Sequence, residues 1–174
     1  MSETDEIMWQ GQFITARRKG KWEYVSRARG IRAAVILAID EDDHVLLVEQ
    51  FRVPLGKTCI ELPAGLVGDH ADVEGEEDSV AAARELEEET GYQADHMEVI
   101  GEFYSSPGMV SESFTLLRAR GLTKVSEGGG TEGENITVHR VPLADIAQRV
   151  ADWRARGYAI DVKMLTLLGP ALLG

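Results

Sequence analysis

The sequence predicts an α/β fold in which helices cover both faces of a mixed β-sheet. Nearly continuous apolar runs at residues 31–40 and 45–51 are typical of buried strands. Residues 77–90 and 142–156 instead have the apolar spacing of amphipathic helices. Because strands and helices alternate along the chain, we expect an α/β/α sandwich around a mixed sheet.

The other predicted elements complete this sheet and its cover. Two strands are expected before residue 30, joined by the basic turn at residues 18–21. Pro142 is expected to begin one helix at its first position, and Asp161 to cap a last helix that ends near residue 168. The remaining strands are expected at residues 59–62, 94–104, 113–120 and 136–141.

Composition excludes several classes of function. A chain of 174 residues is long enough for one domain with a core, and its net charge of −12 disfavours nonspecific nucleic-acid binding. No apolar run approaches the ~20 residues of a membrane span, and the acidic start lacks the basic segment of a signal peptide. The single Cys59 fits a reducing compartment. We therefore expect a cytoplasmic protein without nucleic-acid or membrane partners.

The most informative segment is residues 84–92, which read RELEEETGY. On a helix, Glu85, Glu88 and Glu89 fall within roughly 100° of one another, and carboxylates at these spacings repel. Two interpretations are open. One is a solvated acidic face, and the other is a site for a divalent cation, Mg²⁺ or Mn²⁺, which carboxylate oxygens suit.

The residues around these acids favour the metal site. Leu86, Ser79, Ala82 and Ala83 are expected to share the opposite, core-facing side of the helix. Gly91 occupies the position where a helix end needs positive φ. The acids would therefore lie on a helix that is fixed against a core.

The same segment resembles the second half of the Nudix box, G-x5-E-x7-R-E-U-x-E-E-x-G-U, in which U is bulky and apolar. Glu76 lies eight residues before Arg84, as the box requires. A strict match would place the first glycine at His70, so Gly65 is the better candidate and the loop to Glu76 then holds ten residues instead of five. Surface loops accept such insertions at little entropic cost. The insertion is either a longer surface turn or a substrate lid.

The flanking segments resemble the ADP-ribose pyrophosphatase branch of the Nudix hydrolases. The similarity rests on four segments in this order: WEYV at 22–25, EQFR to ELPAG at 49–65, SPGMVSE at 106–112 and EGENI at 132–136. It implies the Nudix fold, with residues 1–30 as an N-terminal strand extension for dimerisation and base binding and residues 31–174 as the hydrolase domain. It also implies a homodimer.

The resemblance implies Mg²⁺-dependent hydrolysis of ADP-ribose to AMP and ribose 5-phosphate, with Mn²⁺ as a substitute metal. GDP-mannose or another nucleotide sugar is the alternative substrate, and a nucleoside triphosphatase or a non-catalytic nucleotide sensor are further alternatives. The implied metal ligands are the Ala64 carbonyl, Glu85, Glu88, Glu89 and Glu134.

Other roles follow from the same resemblance. Glu132 is the candidate general base, because the glycines around it let the loop close over substrate. We expect Glu76 and Arg84 to form an ion pair that holds the box loop, while Gly65 and Gly91 shape the backbone. The candidate substrate contacts are Arg52, Glu112, Trp22 and Phe13, and for the two aromatics a core or interface position is equally open.

Overall fold

The computed structural model describes residues 4–28, 31–67 and 77–173. Its helices are α1 (Asp78–Thr90), α2 (Ile146–Ala155) and α3 (Leu165–Leu173). Its strands are β1 (Asp5–Gln10), β2 (Ile14–Lys19), β3 (Trp22–Arg27), β4 (Arg32–Ala38), β5 (His44–Arg52), β6 (Lys57–Glu61), β7 (Ala64–Val67), β8 (Tyr92–Tyr104), β9 (Ser113–Lys124), β10 (Thr137–Pro142) and β11 (Ala159–Ile160).

Eight of these strands form two mixed four-stranded sheets, with the orders β10-β5-β6-β11 and β7-β4-β9-β8. Each sheet has one parallel pair, β11 with β6 and β4 with β9, and the other pairs are antiparallel. The hairpin between β4 and β5 joins the two sheets. The predicted single mixed sheet is thus divided in two.

The helices cover opposite faces of this strand layer. Along β4, Ala34 and Ile36 pack into the cluster under α1, whereas Val35 belongs to the cluster under α2 and α3. Successive strand residues point to opposite faces, so this alternation places α1 on one side and the other two helices on the other. The arrangement confirms the predicted α/β/α sandwich.

The N-terminal strands β1, β2 and β3 form a separate antiparallel sheet. The prediction of two strands before residue 30 was wrong, because the chain turns at residues 11–13 within the segment assigned to the first strand. This sheet joins the body through the loop after β8: Val25 N–H donates to the Met109 carbonyl at 3.0 Å, and Ser111 N–H donates to the Val25 carbonyl at 2.9 Å.

Two helix predictions need correction. Pro142 ends β10 instead of beginning a helix, and a 3₁₀ turn separates it from α2. On α1, the apolar residues that are buried are Ala81, Ala82 and Leu86. Ser79 and Ala83, which were predicted to face the core with Ala82 and Leu86, are partly exposed. The cap prediction for Asp161 is confirmed, because its side chain accepts from Lys163 N–H.

No helix within the described ranges combines the length and apolar content that crossing a bilayer requires.

Candidate active site

Helix α1 carries the predicted acidic residues and is fixed by its buried face and by its C-terminal end. Ala81, Ala82 and Leu86 are fully buried in the core, so the helix cannot rotate without exposing apolar surface. Its end is set by Gly91, whose φ of 75° is left-handed and whose N–H donates to the Glu87 carbonyl at 2.8 Å. The predicted role of Gly91 as the helix terminator is therefore confirmed.

An open cleft of about 430 Å³ lies beside this helix. The strand ends of β5, β6 and β7 form part of its wall, and the loops that carry Ser105, Glu112 and Glu134 form another part. Three acids on or facing α1 line it, namely Glu85, Glu89 and Glu134. Three cations also line it, namely Arg27, Arg52 and Lys163.

Glu89 and Glu61 are the two most deeply buried acids of the cleft. Glu89 is 5% exposed, and one of its carboxylate oxygens accepts from Ala64 N–H at 3.0 Å. Burial, together with the negative charges of Glu85 and Glu134, raises the pKa of Glu89 to about 8 despite the opposing effects of Ala64 N–H and Arg52. A second positive charge near Glu89 would therefore stabilise its ionised form.

Glu85 lies against the backbone of β7 because residue 65 is glycine. A Cβ atom at Gly65 would overlap the carboxyl carbon of Glu85. Burial raises the pKa of the Glu85 carboxyl group. The positive charge of Arg84 opposes this shift, whereas the negative charges of Glu88 and Glu134 add to it. The contact gives a physical reason for a glycine here and supports the alignment of Gly65 with the first glycine of the box.

The loop after β9 brings Glu134 to the same cleft. Gly129 N–H donates to the Glu89 carbonyl and Gly130 N–H to the Glu88 carbonyl, both at 2.9 Å, so the loop is attached to the end of α1. Glu134 accepts from Thr131 N–H at 2.6 Å. Glu132 is exposed on this loop and is not among the residues that line the cleft.

Each cation of the cleft is held by its own carboxylate. Arg52 donates two hydrogen bonds to Glu61, through Nε at 2.6 Å and Nη2 at 3.0 Å. Arg27 Nε donates to Glu112 at 2.5 Å, which ties the N-terminal sheet to the loop before β9. The Lys163 ammonium lies 2.7 Å from Asp161 and 5.7 Å from the centre of the Phe114 ring. These pairs fix the cations without placing them on the acids of α1.

Several predicted site residues lie elsewhere. Glu88 faces Arg84 at 3.3 Å on the outer side of α1, in a second surface depression. Arg84 also contacts Glu85 at 2.9 Å, while its predicted partner Glu76 lies outside the described residues. The assignments of Glu88 as a ligand and of Glu76 as an ion-pair partner of Arg84 stay predictions.

The two predicted base-stacking aromatics do not line the cleft. Trp22 is 61% exposed and Phe13 is 55% exposed, and both belong to the N-terminal sheet or its turns. In contrast, Glu112 and Arg52 do line it, as do Glu85, Glu89 and Glu134. Ala64 and Gly65 line it as well, so the structure brings together seven of the predicted residues around one cavity and leaves the aromatics on the surface.

Sequence reasoning missed several residues of the cleft. Arg27 lies on β3 and Lys163 near the C-terminus, and neither belongs to a pattern recognised in the sequence. Glu61 was visible within the ELPAG segment but had no assigned role. The available signal was the alternation of strand residues between the two faces of a sheet, which indicates that Glu61 is buried.

A second group of potential ligands consists of Asp40, Asp42 and His44. Within the described ranges, it is the group whose ligand atoms all lie within 4.8 Å of one another. Arg140 already contacts both aspartates at 2.6 Å and compensates their charge. Among the described residues, the acids of α1 do not form a group of three that meets this distance.

The acids of the cleft have the chemistry of a site for a hard divalent cation. Glu85, Glu89 and Glu134 supply carboxylate oxygens, and the pKa of Glu89 is raised to about 8 where its neighbours are acids. A divalent cation would relieve that repulsion and would bind the ionised form. The residues present therefore fit a hard divalent cation.

Comparisons with known proteins agree with this geometry. Residues 29–161 match the NUDIX domain family. The chain is 37% identical over 123 residues to the methanol dehydrogenase activator of Bacillus methanolicus, covering 70% of this chain and 64% of that protein. It is 38% identical over 119 residues to the ADP-ribose pyrophosphatase of Bacillus subtilis, covering 68% of this chain and 62% of that protein. These alignments span less than two thirds of either relative.

A longer alignment is with the GDP-mannose pyrophosphatase of Cronobacter sakazakii, at 36% identity over 149 residues, covering 80% of this chain and 72% of that protein. Among solved structures, a crystal structure of an ADP compounds hydrolase superposes with a TM-score of 0.72 at 23% identity. The superposition covers all of this chain and 94% of the hydrolase chain, which confirms the predicted fold. The chain therefore belongs to the NUDIX family of hydrolases, as the resemblance of its acidic helix to the Nudix box implied.

Proposed function

We propose that this protein hydrolyses the pyrophosphate bond of a nucleoside diphosphate sugar, with ADP-ribose as the substrate and AMP and ribose 5-phosphate as the products. The observation that carries the proposal is the cleft in which Glu85, Glu89 and Glu134 face Arg27 and Arg52. Acids suited to a divalent cation, next to guanidinium groups suited to phosphate oxygens, match a pyrophosphate bound with its metal. The named pyrophosphatases among the relatives support the same reaction.

In this proposal, Glu85, Glu89 and Glu134 hold Mg²⁺, together with the Ala64 carbonyl. When bound, Mg²⁺ neutralises charge on the pyrophosphate and increases the acidity of water. Mn²⁺, which has a similar ligand preference, would serve as a substitute. Glu88 would assist from the outer side of α1, where it now contacts Arg84.

Other residues act on the substrate and on the attacking water. Arg52 would contact phosphate oxygens with the N–H groups that Glu61 does not occupy, and Arg27 adds a second cation at the cleft. Glu112 would accept hydrogen bonds from the hydroxyl groups of the distal sugar. Glu132 is the proposed general base, which accepts the proton of the attacking water after its loop closes over the cleft.

The same chemistry on GDP-mannose is the alternative, and the relative from Cronobacter sakazakii favours it. The two substrates differ in base and sugar, and the cleft residues that face phosphate do not separate them. A non-catalytic nucleotide sensor is disfavoured, because a sensor has no need for the cluster of acids that this cleft retains.

The proposal also includes a homodimer that uses the N-terminal sheet. All of β1 is exposed, and Ile7, Met8, Trp9, Phe13 and Trp22 are each more than half exposed. A small sheet with this much exposed apolar surface is typical of an interface. In a dimer, Trp22 and Phe13 would reach substrate from one protomer or its partner, which would give the extension its role in base binding.

A cytoplasmic location is part of the same proposal. Cys59 is buried, and burial together with the nearby Glu61 carboxylate raises the pKa of its thiol to about 12. A chain with a single cysteine forms no internal disulfide, which suits a reducing compartment.

The decisive experiment measures product formation from ADP-ribose, GDP-mannose, other nucleotide sugars, diadenosine polyphosphates and nucleoside triphosphates, each with Mg²⁺ and with EDTA. We expect the fastest metal-dependent reaction with ADP-ribose, and AMP as a product. Glu85→Gln should reduce turnover by about a hundredfold or more, whereas Glu87→Gln, on the exposed side of α1, should not. Faster reaction with GDP-mannose would move the assignment to the alternative substrate, and no reaction with any compound would support the sensor.

A further inference from the structure

The buried carboxylate of Glu61 has no role in the proposed reaction. Glu61 ends β6 opposite Val48 of β5, and its residue is 5% exposed. Arg52 lies four residues further along β5, on the same sheet face, and its side chain extends past the Gln50–Cys59 pair to reach Glu61. Both guanidinium contacts are short, at 2.6 and 3.0 Å.

This pair has a geometry that fixes direction. Two parallel N–H donations from a planar guanidinium to both oxygens of one carboxylate allow a single orientation. Three of the five guanidinium N–H groups remain for other acceptors. A buried ion pair adds little net stability compared with apolar side chains, so orientation is the property that this pair supplies best.

Arg52 has other carboxylates within electrostatic reach. The positive charge of Arg52 favours ionised Glu89, and the negative charge of Glu89 in turn favours charged Arg52. Glu85 and Glu134 line the same cleft. Since attraction between opposite charges is strong in partly buried surroundings, an Arg52 side chain released from Glu61 would move onto these acids.

We propose that Glu61 is a positioning residue that keeps Arg52 off the metal-binding acids of α1. By holding the guanidinium group, Glu61 leaves Glu89 available to the divalent cation and leaves three N–H groups of Arg52 available to phosphate. The inference rests on the proposed function, because it takes Glu89 as a metal ligand and Arg52 as a substrate contact.

A mutant cycle separates this role from a purely structural one. The variants are Glu61→Gln, Arg52→Ala and the double variant, and the direct readout is Mn²⁺ binding by electron paramagnetic resonance. Glu61→Gln should weaken Mn²⁺ binding about fivefold or more, because a freed Arg52 competes for Glu89. The double variant should recover the affinity of Arg52→Ala, since the competing cation is gone.

The second readout is the split between KM and kcat. With a nucleotide sugar at saturating Mg²⁺, Glu61→Gln should raise KM about tenfold, while Glu61→Gln added to Arg52→Ala should change KM less than twofold. The control is Glu98→Gln, which removes an Arg–Glu contact of 3.0 Å to Arg120 on β8 and β9, away from the cleft. We expect no change in either readout for the control.

The outcomes are distinct. Equal loss of Mn²⁺ affinity in Glu61→Gln and in the double variant would overturn the proposal, and so would wild-type behaviour of Glu61→Gln. If Glu61→Gln does not fold, Glu61→Asp replaces it, because aspartate keeps the charge but shortens the side chain. The double variant of Glu61→Asp with Arg52→Ala must then recover the Mn²⁺ affinity of Arg52→Ala. If the wild type hydrolyses no nucleotide sugar, the proposed function fails, while the Mn²⁺ cycle still tests the positioning role.

Discussion

The carboxyl group of Glu89 gives the most quantitative prediction, which concerns stability in the absence of metal. The perturbation is Glu89→Gln, which preserves side-chain volume and an oxygen that accepts from Ala64 N–H. It removes the titratable group. The variant therefore isolates the effect of a buried charge beside Glu85 and Glu134.

The magnitude follows from the pKa of about 8, compared with the ordinary value of 4.5. Between these pH values the unfolded chain has released the proton and the folded chain retains it, so the folded state loses stability as pH rises. At about 1.36 kcal/mol per pH unit, the loss has an upper bound of about 5 kcal/mol at pH 8 and above. Below pH 4.5 both states are protonated and there is no loss.

The assay is denaturant unfolding in EDTA from pH 4.5 to 9. We expect wild type and Glu89→Gln to have similar unfolding free energies near pH 5 and to diverge by several kcal/mol by pH 9, with the variant more stable. Glu87→Gln, exposed on the same helix, is the control and should follow the wild type. A constant difference between wild type and Glu89→Gln across this range would refute the raised pKa.

The remaining predictions concern the metal and two glycines. EDTA should abolish hydrolysis, and excess Mg²⁺ or Mn²⁺ should restore it, as measured by product formation; activity that persists in EDTA would contradict the metal requirement. Gly65→Ala should lower turnover about a hundredfold with less than ~1 kcal/mol change in unfolding free energy, because the added methyl group displaces the flexible Glu85 side chain. Gly91→Ala should instead destabilise the fold by about 2 kcal/mol or more, because φ is 75° and the new Cβ meets the Ser126 carbonyl; urea unfolding would show this. Wild-type stability of Gly91→Ala would contradict the strain.

Helix α1 was predictable because the signals that define it in the sequence are local. Apolar spacing, the terminal glycine and the carboxylates three and four residues apart all lie within one stretch of chain. The helix begins and ends within one residue of the predicted bounds. The buried side differed from the prediction, because Ala81 lies on the core face while Ser79 and Ala83 are partly exposed. Small residues such as alanine and serine give little contrast in an apolar pattern.

The cleft cations were less predictable because their positions depend on long-range pairing. Arg27 comes to the cleft because its ion pair with Glu112 joins residues 85 positions apart. Lys163 comes to it because β11 pairs with β6 and directs the following turn toward Phe114. No local pattern encodes either approach. The division of the predicted sheet into two has the same cause, since strand order is set by contacts that periodicity does not contain.

The loop that carries Glu132 and Glu134 shows how the site joins local and long-range order. Gly128 packs where a Cβ would overlap the Thr90 and Glu89 backbone, so this glycine lets the loop reach the end of α1. The donations from Gly129 and Gly130 then fix the start of the loop to the helix that carries the acids. Glu134, four residues further on, faces the cleft, while Glu132 stays exposed. Since the hydrogen bonds to α1 come from Gly129 and Gly130 at the start of the loop, closure of its tip over the cleft would bring Glu132 toward substrate, and the proposed role of Glu132 as general base requires this closure.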